Sequence, residues 1–422
     1  MKSAVWGVLI LTALSVSAGT PDNMKRSADR GKAESQYRMG VSFVSGEGKR
    51  KDMKKAAQWF HKAAGQGHAK AQFNLGMCYL QGKGVEADPT EAEKWFRKAA
   101  EQGHVKAQYR LGLCFYDDKG IRRDDQEAEK WLRKAAEQGL AEAQYKLGIC
   151  YSQGTGVPKS MEEAAKWYRK AAGDENSYAG YVQAKYSLGK CYESGEGVPQ
   201  NKEVAMKYYS MAARAGHLES QYQLGMGYAF GDGADKEKAV KWLRTAAGQG
   251  HANAQFWLGG HYSTGAGIEQ NKEEAVKWFL KSAEQGNVDA QRHLGECYYL
   301  GEGVREARNE SAKWYRKAAE QGDVRAQDSL GDDYKSGCGV PKNMEEAVKW
   351  YRKAAEQGSA SSQVSLAECY ERGDGVPKNV EEAVKWYRKA HTKAARAALE
   401  RLGVFSGGEI NRSPYWGRSV HR

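Results

Sequence analysis

Proline is nearly missing from this chain: 7 in 422 residues, too few to interrupt long helices, where each would remove a hydrogen bond and clash with the preceding turn. Beyond residue 18 there is no run of 18 apolar residues, so no later stretch has the length that a membrane-spanning helix needs. Signatures of catalysis and metal binding are also lacking. No H-E-x-x-H, no S-D-N and no Gly-Lys-Ser/Thr occurs, which argues against a zinc protease, a complete β-lactamase constellation and a phosphate-binding loop. The 7 cysteines do not form close pairs. Six of them, Cys78, Cys114, Cys150, Cys191, Cys297 and Cys369, hold one position in separate copies of a repeated unit. With helices spaced about 8–10 Å apart, equivalent residues are too distant for disulfides. They are expected to be small buried hydrophobes.

What is abundant is glycine, 49 residues, and it falls at fixed places. Leu-Gly recurs at Leu75-Gly76, Leu111-Gly112, Leu147-Gly148, Leu188-Gly189, Leu224-Gly225, Leu258-Gly259, Leu294-Gly295 and Leu330-Gly331, with Met39-Gly40 and Leu366-Ala367 as degenerate ends; most steps are 36 residues. Twenty residues after most markers stands an aromatic residue, as at Trp59, Trp95 and Trp131, while Trp242 stands 18 after Leu224. A fixed period of this length signals a solenoid, in which each repeat touches only its neighbours.

Within a repeat, Ala71 to Tyr79 places apolar residues on one helical face, defining a first helix, A. A glycine in mid-helix costs about 1 kcal/mol relative to alanine, so the recurrence of Gly76 and its equivalents implies close helix contact. Helix A is expected to stop at Gly-x-Gly, as at Gly82-x-Gly84, where the first glycine supplies a left-handed cap. Helix B opens with a capping residue three before Glu: Asp88, Asp124, Ser160, Asn271, Asn343 and Asn379. Its stripe Ala92, Trp95, Phe96, Ala99, Ala100 is expected to bury the Trp, and Glu345–Lys349 and Glu381–Lys385 to pair at i,i+4. Gly103 and its equivalents close helix B. Two irregularities interrupt the rhythm: five extra residues between Gly173 and Tyr181, and a loop two residues short at Gly231–Asp235.

The pattern A-x-A-Q-x-x-L-G-x-x-Y-x-x-G-x-G-V-x-x-(D/N)-x-x-x-A-x-x-W-(Y/F)-x-K-A-A-E-Q-G resembles the Sel1-like repeat family, relatives of the tetratricopeptide repeats. The resemblance implies an all-α, right-handed α/α superhelical solenoid of about ten 36-residue helix pairs, with an extra C-terminal cap helix at Ala394 to Leu402, working as a protein-interaction scaffold. Cysteine-rich members of that family, for which β-lactamase activity is claimed, carry paired cysteines within repeats; this chain departs from them. Ser187-Leu-Gly-Lys190 and Lys335-Ser336-Gly337 resemble S-x-x-K and K-T-G, but both occupy ordinary repeat positions four repeats apart. A cell-wall-active hydrolase is the alternative, and no catalytic site, cofactor or metal site is expected.

Met1-Lys2-Ser3, the apolar run Ala4 to Val16 and Ser17-Ala18-Gly19 have the three regions of a secretory signal peptide. The expected organisation is residues 1–18 signal peptide, 19–33 polar lead-in, 34–403 solenoid and 404–422 basic tail. The mature chain is expected in the periplasm or outside the cell, as a monomer without stable membrane insertion. The net charge of +12 favours acidic partners, and export argues against nucleic acid.

Function is then expected on a surface. Helix-A positions off the apolar face vary from repeat to repeat: Arg38, Lys70, Asn74, Lys106, Arg110, Lys146, Ser187, Gln223, Trp257, His293, Glu296, Asp332 and Glu368. These are the candidates for a partner-binding groove. Its early part is basic and its late part acidic, and Trp257 is the hot-spot candidate, since exposed Trp is enriched at such sites.

Overall fold

A computed structural model describes residues 21–47, 50–117, 122–173, 180–231 and 233–404. The signal-peptide segment and the tail from residue 405 lie outside the described residues, so neither expectation is addressed. The described residues form helices and connecting turns, with no strand. Two compact units divide the chain at His217 and Leu218.

The first unit contains α1 (Pro21–Asp29), α2 (Ala33–Ser45), α3 (Met53–Gly65), α4 (Ala69–Gln81), α5 (Pro89–Glu101), α6 (Val105–Tyr116), α7 (Asp125–Glu137), α8 (Ala141–Gln153), α9 (Met161–Ala172), α10 (Val182–Ser194) and α11 (Lys202–Arg214). The second contains α12 (Leu218–Phe230), α13 (Lys236–Gly248), α14 (Ala252–Thr264), α15 (Lys272–Glu284), α16 (Val288–Leu300), α17 (Arg308–Glu320), α18 (Val324–Ser336), α19 (Met344–Glu356), α20 (Ala360–Arg372), α21 (Val380–Ala390) and α22 (Lys393–Arg401). Within each unit a helix packs on those before and after it in the chain. Even-numbered helices from α2 to α20 are the A helices and odd-numbered ones from α3 the B helices. The expected solenoid of helix pairs is therefore present in both units, with α22 as the cap: Ala395 and Leu399 are buried against Ala367 and Tyr387.

The mid-helix glycine is explained by its partner. A Cβ at Gly76 would lie 2.7 Å from the Phe96 ring, and one at Gly331 2.5 Å from the Tyr351 ring. The B helix thus approaches with the residue after the Trp. That residue lies deeper than the Trp: Phe60, Phe96, Leu132, Tyr351 and Tyr387 are almost inaccessible, whereas the Trp is buried as expected at Trp131, Trp167, Trp314 and Trp350 but only half-buried at Trp59, Trp95, Trp242, Trp278 and Trp386. Buried or half-buried, the Trp lies under a lysine three residues on, as in Trp95–Lys98 at 4.3 Å and Trp350–Lys353 at 4.1 Å, a cation–π arrangement.

The expected caps form. Asp88 accepts from the Glu91 N–H, Ser160 from Glu163 and Asn379 from Glu382. The reciprocal half of the capping box does not, because the N–H of the capping residue is already bonded to helix A, as in Asp88 N–H to Tyr79 O at 3.1 Å. The glutamate is thereby left to pair at i,i+3, so Lys349 and Lys385 bind Glu346 and Glu382, in place of the i,i+4 pairs with Glu345 and Glu381.

Consecutive repeats are joined by two glutamines. Gln327 donates from Nε2 to the Ala319 carbonyl of α17, and its Oε1 accepts from Gln357 Nε2 after α19, at 3.0 and 2.9 Å. The same pair occurs at Gln72–Gln102 and Gln255–Gln285. Because the A-helix glutamine of each pair is buried, losing its partner leaves a group whose desolvation costs about 1–3 kcal/mol. The lead-in repeats this device. Gln36 donates to the Ala28 carbonyl of α1 at 3.2 Å, so the 19–33 segment, read as polar and without period, ends as a B helix does.

Candidate interaction surface

The fixed residues of helix A are consumed in packing: Ala71, Gln72, Leu75, Gly76 and Cys78 are all buried. Of the intervening positions Phe73 and Met77 are buried as well, while Lys70 is exposed and Asn74 half-buried. The thiols serve as filler. Burial pushes the Cys150, Cys191 and Cys369 thiols up to about 11, which keeps them protonated and unreactive.

The histidines that follow the inter-repeat glycine have a structural role that the spacing did not reveal. Nδ1 of His68, His104 and His251 accepts from the N–H of Ala71, Ala107 and Ala254, capping the A helix. Each ring also stacks on an aromatic residue of the previous A helix: Tyr37 at 4.8 Å, Phe73 at 5.0 Å and Tyr222 at 4.5 Å. The available signal was that Asn287, Asp323 and Ser359, all good caps, occupy the same place in later repeats.

In the first unit most of the outward residues are cationic, and Arg110 and Lys146 lie over rings. Arg38 pairs with Glu34 at 2.7 Å, and Glu34 also meets His68 Nε2 at 3.0 Å. Lys70 is exposed. Asn74 is half-buried. Lys106 is half-buried, the Arg110 guanidinium lies 5.9 Å from the Tyr109 ring, and the Lys146 ammonium sits 3.8 Å over Tyr116 of the preceding A helix. Ser187 is half-buried and Lys190 exposed on α10.

In the second unit the outward residues begin aromatic and become acidic. Trp257 is half-buried on α14, edge-on to Phe230 at 5.0 Å and to Phe256 at 5.4 Å. Phe230 is 64% exposed, at the head of the short loop. The aromatic pair is thus partly packed and partly bare. His293 stacks on Phe279 and bonds Glu296 at 3.1 Å. Burial opposes ionisation of Glu296, but the His293 bond and the Arg292 charge prevail and hold its carboxyl below the ordinary value. Asp332 is exposed and accepts from the Tyr351 hydroxyl at 2.6 Å. Glu368 lies 3.8 Å from Lys335 and 4.0 Å from Arg372. An open cleft of about 540 Å³ beside Asp332 is lined by Lys335, Ser336, Lys342, Met344 and Asp374. Among the described residues no group of three or more His, Cys, Asp or Glu could hold a metal ion.

The repeat is the Sel1 repeat: the family model matches residues 33–68, 69–104, 105–140, 141–173, 182–217, 218–251, 252–287, 288–323, 324–359 and 360–390. The chain belongs to the Sel1 repeat family. Among solved structures it is similar to c5321, described as a protective antigen present in uropathogenic Escherichia coli strains displaying an SLR fold; identity is 35%, coverage is 90% of this chain and 82% of that one, and the TM-score is 0.80. A Sel1 repeat protein from Oxalobacter formigenes is 35% identical over 73% of this chain and 89% of its own, with a TM-score of 0.59. No curated protein matches.

Proposed function

We propose that this Sel1 repeat chain is a non-enzymatic protein-interaction scaffold or regulator, working outside the cytoplasm, and that it binds its partner through the outward face of the A helices. The observation that carries the reading is the division of labour inside each repeat. Recurrent residues hold neighbouring helices together through glycine contacts, glutamine pairs and caps, while residues such as Arg110, Trp257, Glu296 and Asp332 differ between repeats and point outward. Variation on a rigid, repeated support is what a binding surface needs. Export rests on the Met1–Gly19 pattern, which has the form of a cleavable leader.

Capture from the native cell envelope, with the protein as bait, is expected to return a protein partner. Trp257→Ala should weaken that complex by at least ~1 kcal/mol with helicity unchanged. A lower melting temperature with intact affinity would assign Trp257 to packing. Turnover of a chromogenic β-lactam by the purified protein, abolished by Ser187→Ala, would replace the scaffold reading with the hydrolase.

A further inference from the structure

The outward residues of the A helices are cationic early in the chain and acidic late, but the fold cancels only the second set. Glu296 pairs with Arg292 and His293, Glu368 with Lys335 and Arg372, and Asp332 accepts from the Tyr351 hydroxyl. In the first unit the cations are left over. Helices α4, α6 and α8 carry Lys70, Lys106, Arg110 and Lys146 against one acid, Glu142, and among the described residues none of these four cations pairs with a carboxylate. The rings of Tyr109 and Tyr116 beneath Arg110 and Lys146 have no net charge with which to cancel theirs. The B helices of the same repeats show the contrast: Lys94, Lys130 and Lys166 bind Glu91, Glu127 and Glu163 at 2.6, 2.7 and 2.8 Å.

Two of the four stand where a helix prefers the opposite sign. Lys70 and Lys106 are the second residues of α4 and α6, where positive charge opposes the helix dipole and a carboxylate is favoured. Glu34, Glu142, Glu219 and Asp289 take that place in other repeats. Glu34 meets His68 Nε2 at 3.0 Å; one repeat on, Lys70 stands in its place, and burial, Lys106 and Lys70 together lower the His104 imidazole to about 4. The face is continuous, because Phe73 of α4 stacks on His104 at 5.0 Å and Lys146 of α8 sits 3.8 Å over Tyr116 of α6. At roughly 10 Å per repeat, Lys70 to Lys146 spans about 20 Å, the length of about six residues of extended chain. We propose that an acidic, extended segment of the protein partner lies across α4, α6 and α8, its carboxylates pairing with Lys70, Lys106, Arg110 and Lys146. This deepens the scaffold reading and rests on it.

The test titrates a dye-labelled peptide of alternating Glu and Ser into the full chain. Lys70→Gln/Lys106→Gln/Lys146→Gln should weaken the peptide about tenfold at low salt, and by less at physiological salt, where exposed charges are screened. Lys94→Gln/Lys130→Gln/Lys166→Gln removes the same charge from the B helices and should change the affinity about twofold at most. The A-face variant should melt no lower than the wild type, since it loses two charges that oppose their helix dipoles. Equal weakening by the two variants overturns the proposal, as does absence of binding to the wild type at low salt. A lowered melting temperature of the A-face variant overturns it too, because the lysines then serve the fold. Single-stranded RNA or anionic vesicles that bind more tightly than the peptide, and lose that binding in the A-face variant, would replace the acidic segment with a phosphate polymer or a membrane. If the peptide result fails while Trp257→Ala still depletes the captured envelope proteins, the scaffold reading stands and only this inference falls.

Discussion

Asp333 occupies the core position that Cys78, Cys150, Cys191 and Cys369 fill in other repeats, and its Oδ2 is buried without a hydrogen-bond partner. Burial, reinforced by the charge of neighbouring Asp332 and only partly offset by Arg308, pushes its carboxyl up to about 7. A carboxyl in the unfolded chain ionises near 4. The folded state therefore holds the extra proton between those values, so the contribution of Asp333 to stability is greatest below about pH 4, declines as pH rises and levels off above about 7. Asp333→Cys is expected to raise the melting temperature at pH 8 by several degrees and to change it little at pH 4. His104 acts in the opposite sense. Its burial, with Lys106 and Lys70 nearby, lowers the imidazole to about 4, whereas the free side chain titrates near 6.5. Its contribution is complete above about pH 6.5 and drains as pH falls toward 4. His104→Asn, which keeps a cap of the kind Asn287 provides, should flatten the decline in melting temperature between pH 7 and 4. A variant that declines as steeply as the wild type would remove His104 from this account.

At the scale of elements, the Leu-Gly contact sets how closely helices A and B pack. At Gly331 the opposing Tyr351 is fully buried and its hydroxyl is bonded to Asp332, so the ring cannot turn aside. Gly331→Ala should cost ~1–3 kcal/mol through overpacking, less the ~1 kcal/mol that alanine gains in helix propensity. At Gly112 the opposing group is the flexible Leu132, 2.8 Å from the added Cβ, and urea denaturation should show a smaller loss. Equal losses would mean that the ring is not the obstacle. The caps and the cap glycines were legible in the chain because they depend on residues a few positions apart. The depth of Trp relative to its successor was not: the two are adjacent on the helix, both apolar, and only the approach of helix A decides between them. The Glu346–Lys349 pairing escaped for a similar reason, since a carbonyl from the preceding helix had taken the donor that would have engaged the glutamate. The α1 helix was hidden by its polar surface, although Ala28 and Gly31 reproduce the spacing that ends most B helices, as at Ala64–Gly67 and Ala100–Gly103.

For the whole molecule, which helix-A residues face outward could be read from repeat comparison alone, but what they touch could not. Lys146 over Tyr116 and Trp257 against Phe230 each join different repeats, and no local pattern in the sequence couples them. The central claim is that the A-helix face recognises a protein. The most direct measurement compares envelope proteins captured by the wild type, by Trp257→Ala/Glu296→Gln, and by Lys349→Ala on the exposed side of α19, with melting temperatures matched. The account predicts that one set of partners is retained by the wild type and by Lys349→Ala and is depleted about fivefold or more by the A-face variant. Retention of that set by all three chains, or its loss from both variants alike, would contradict it.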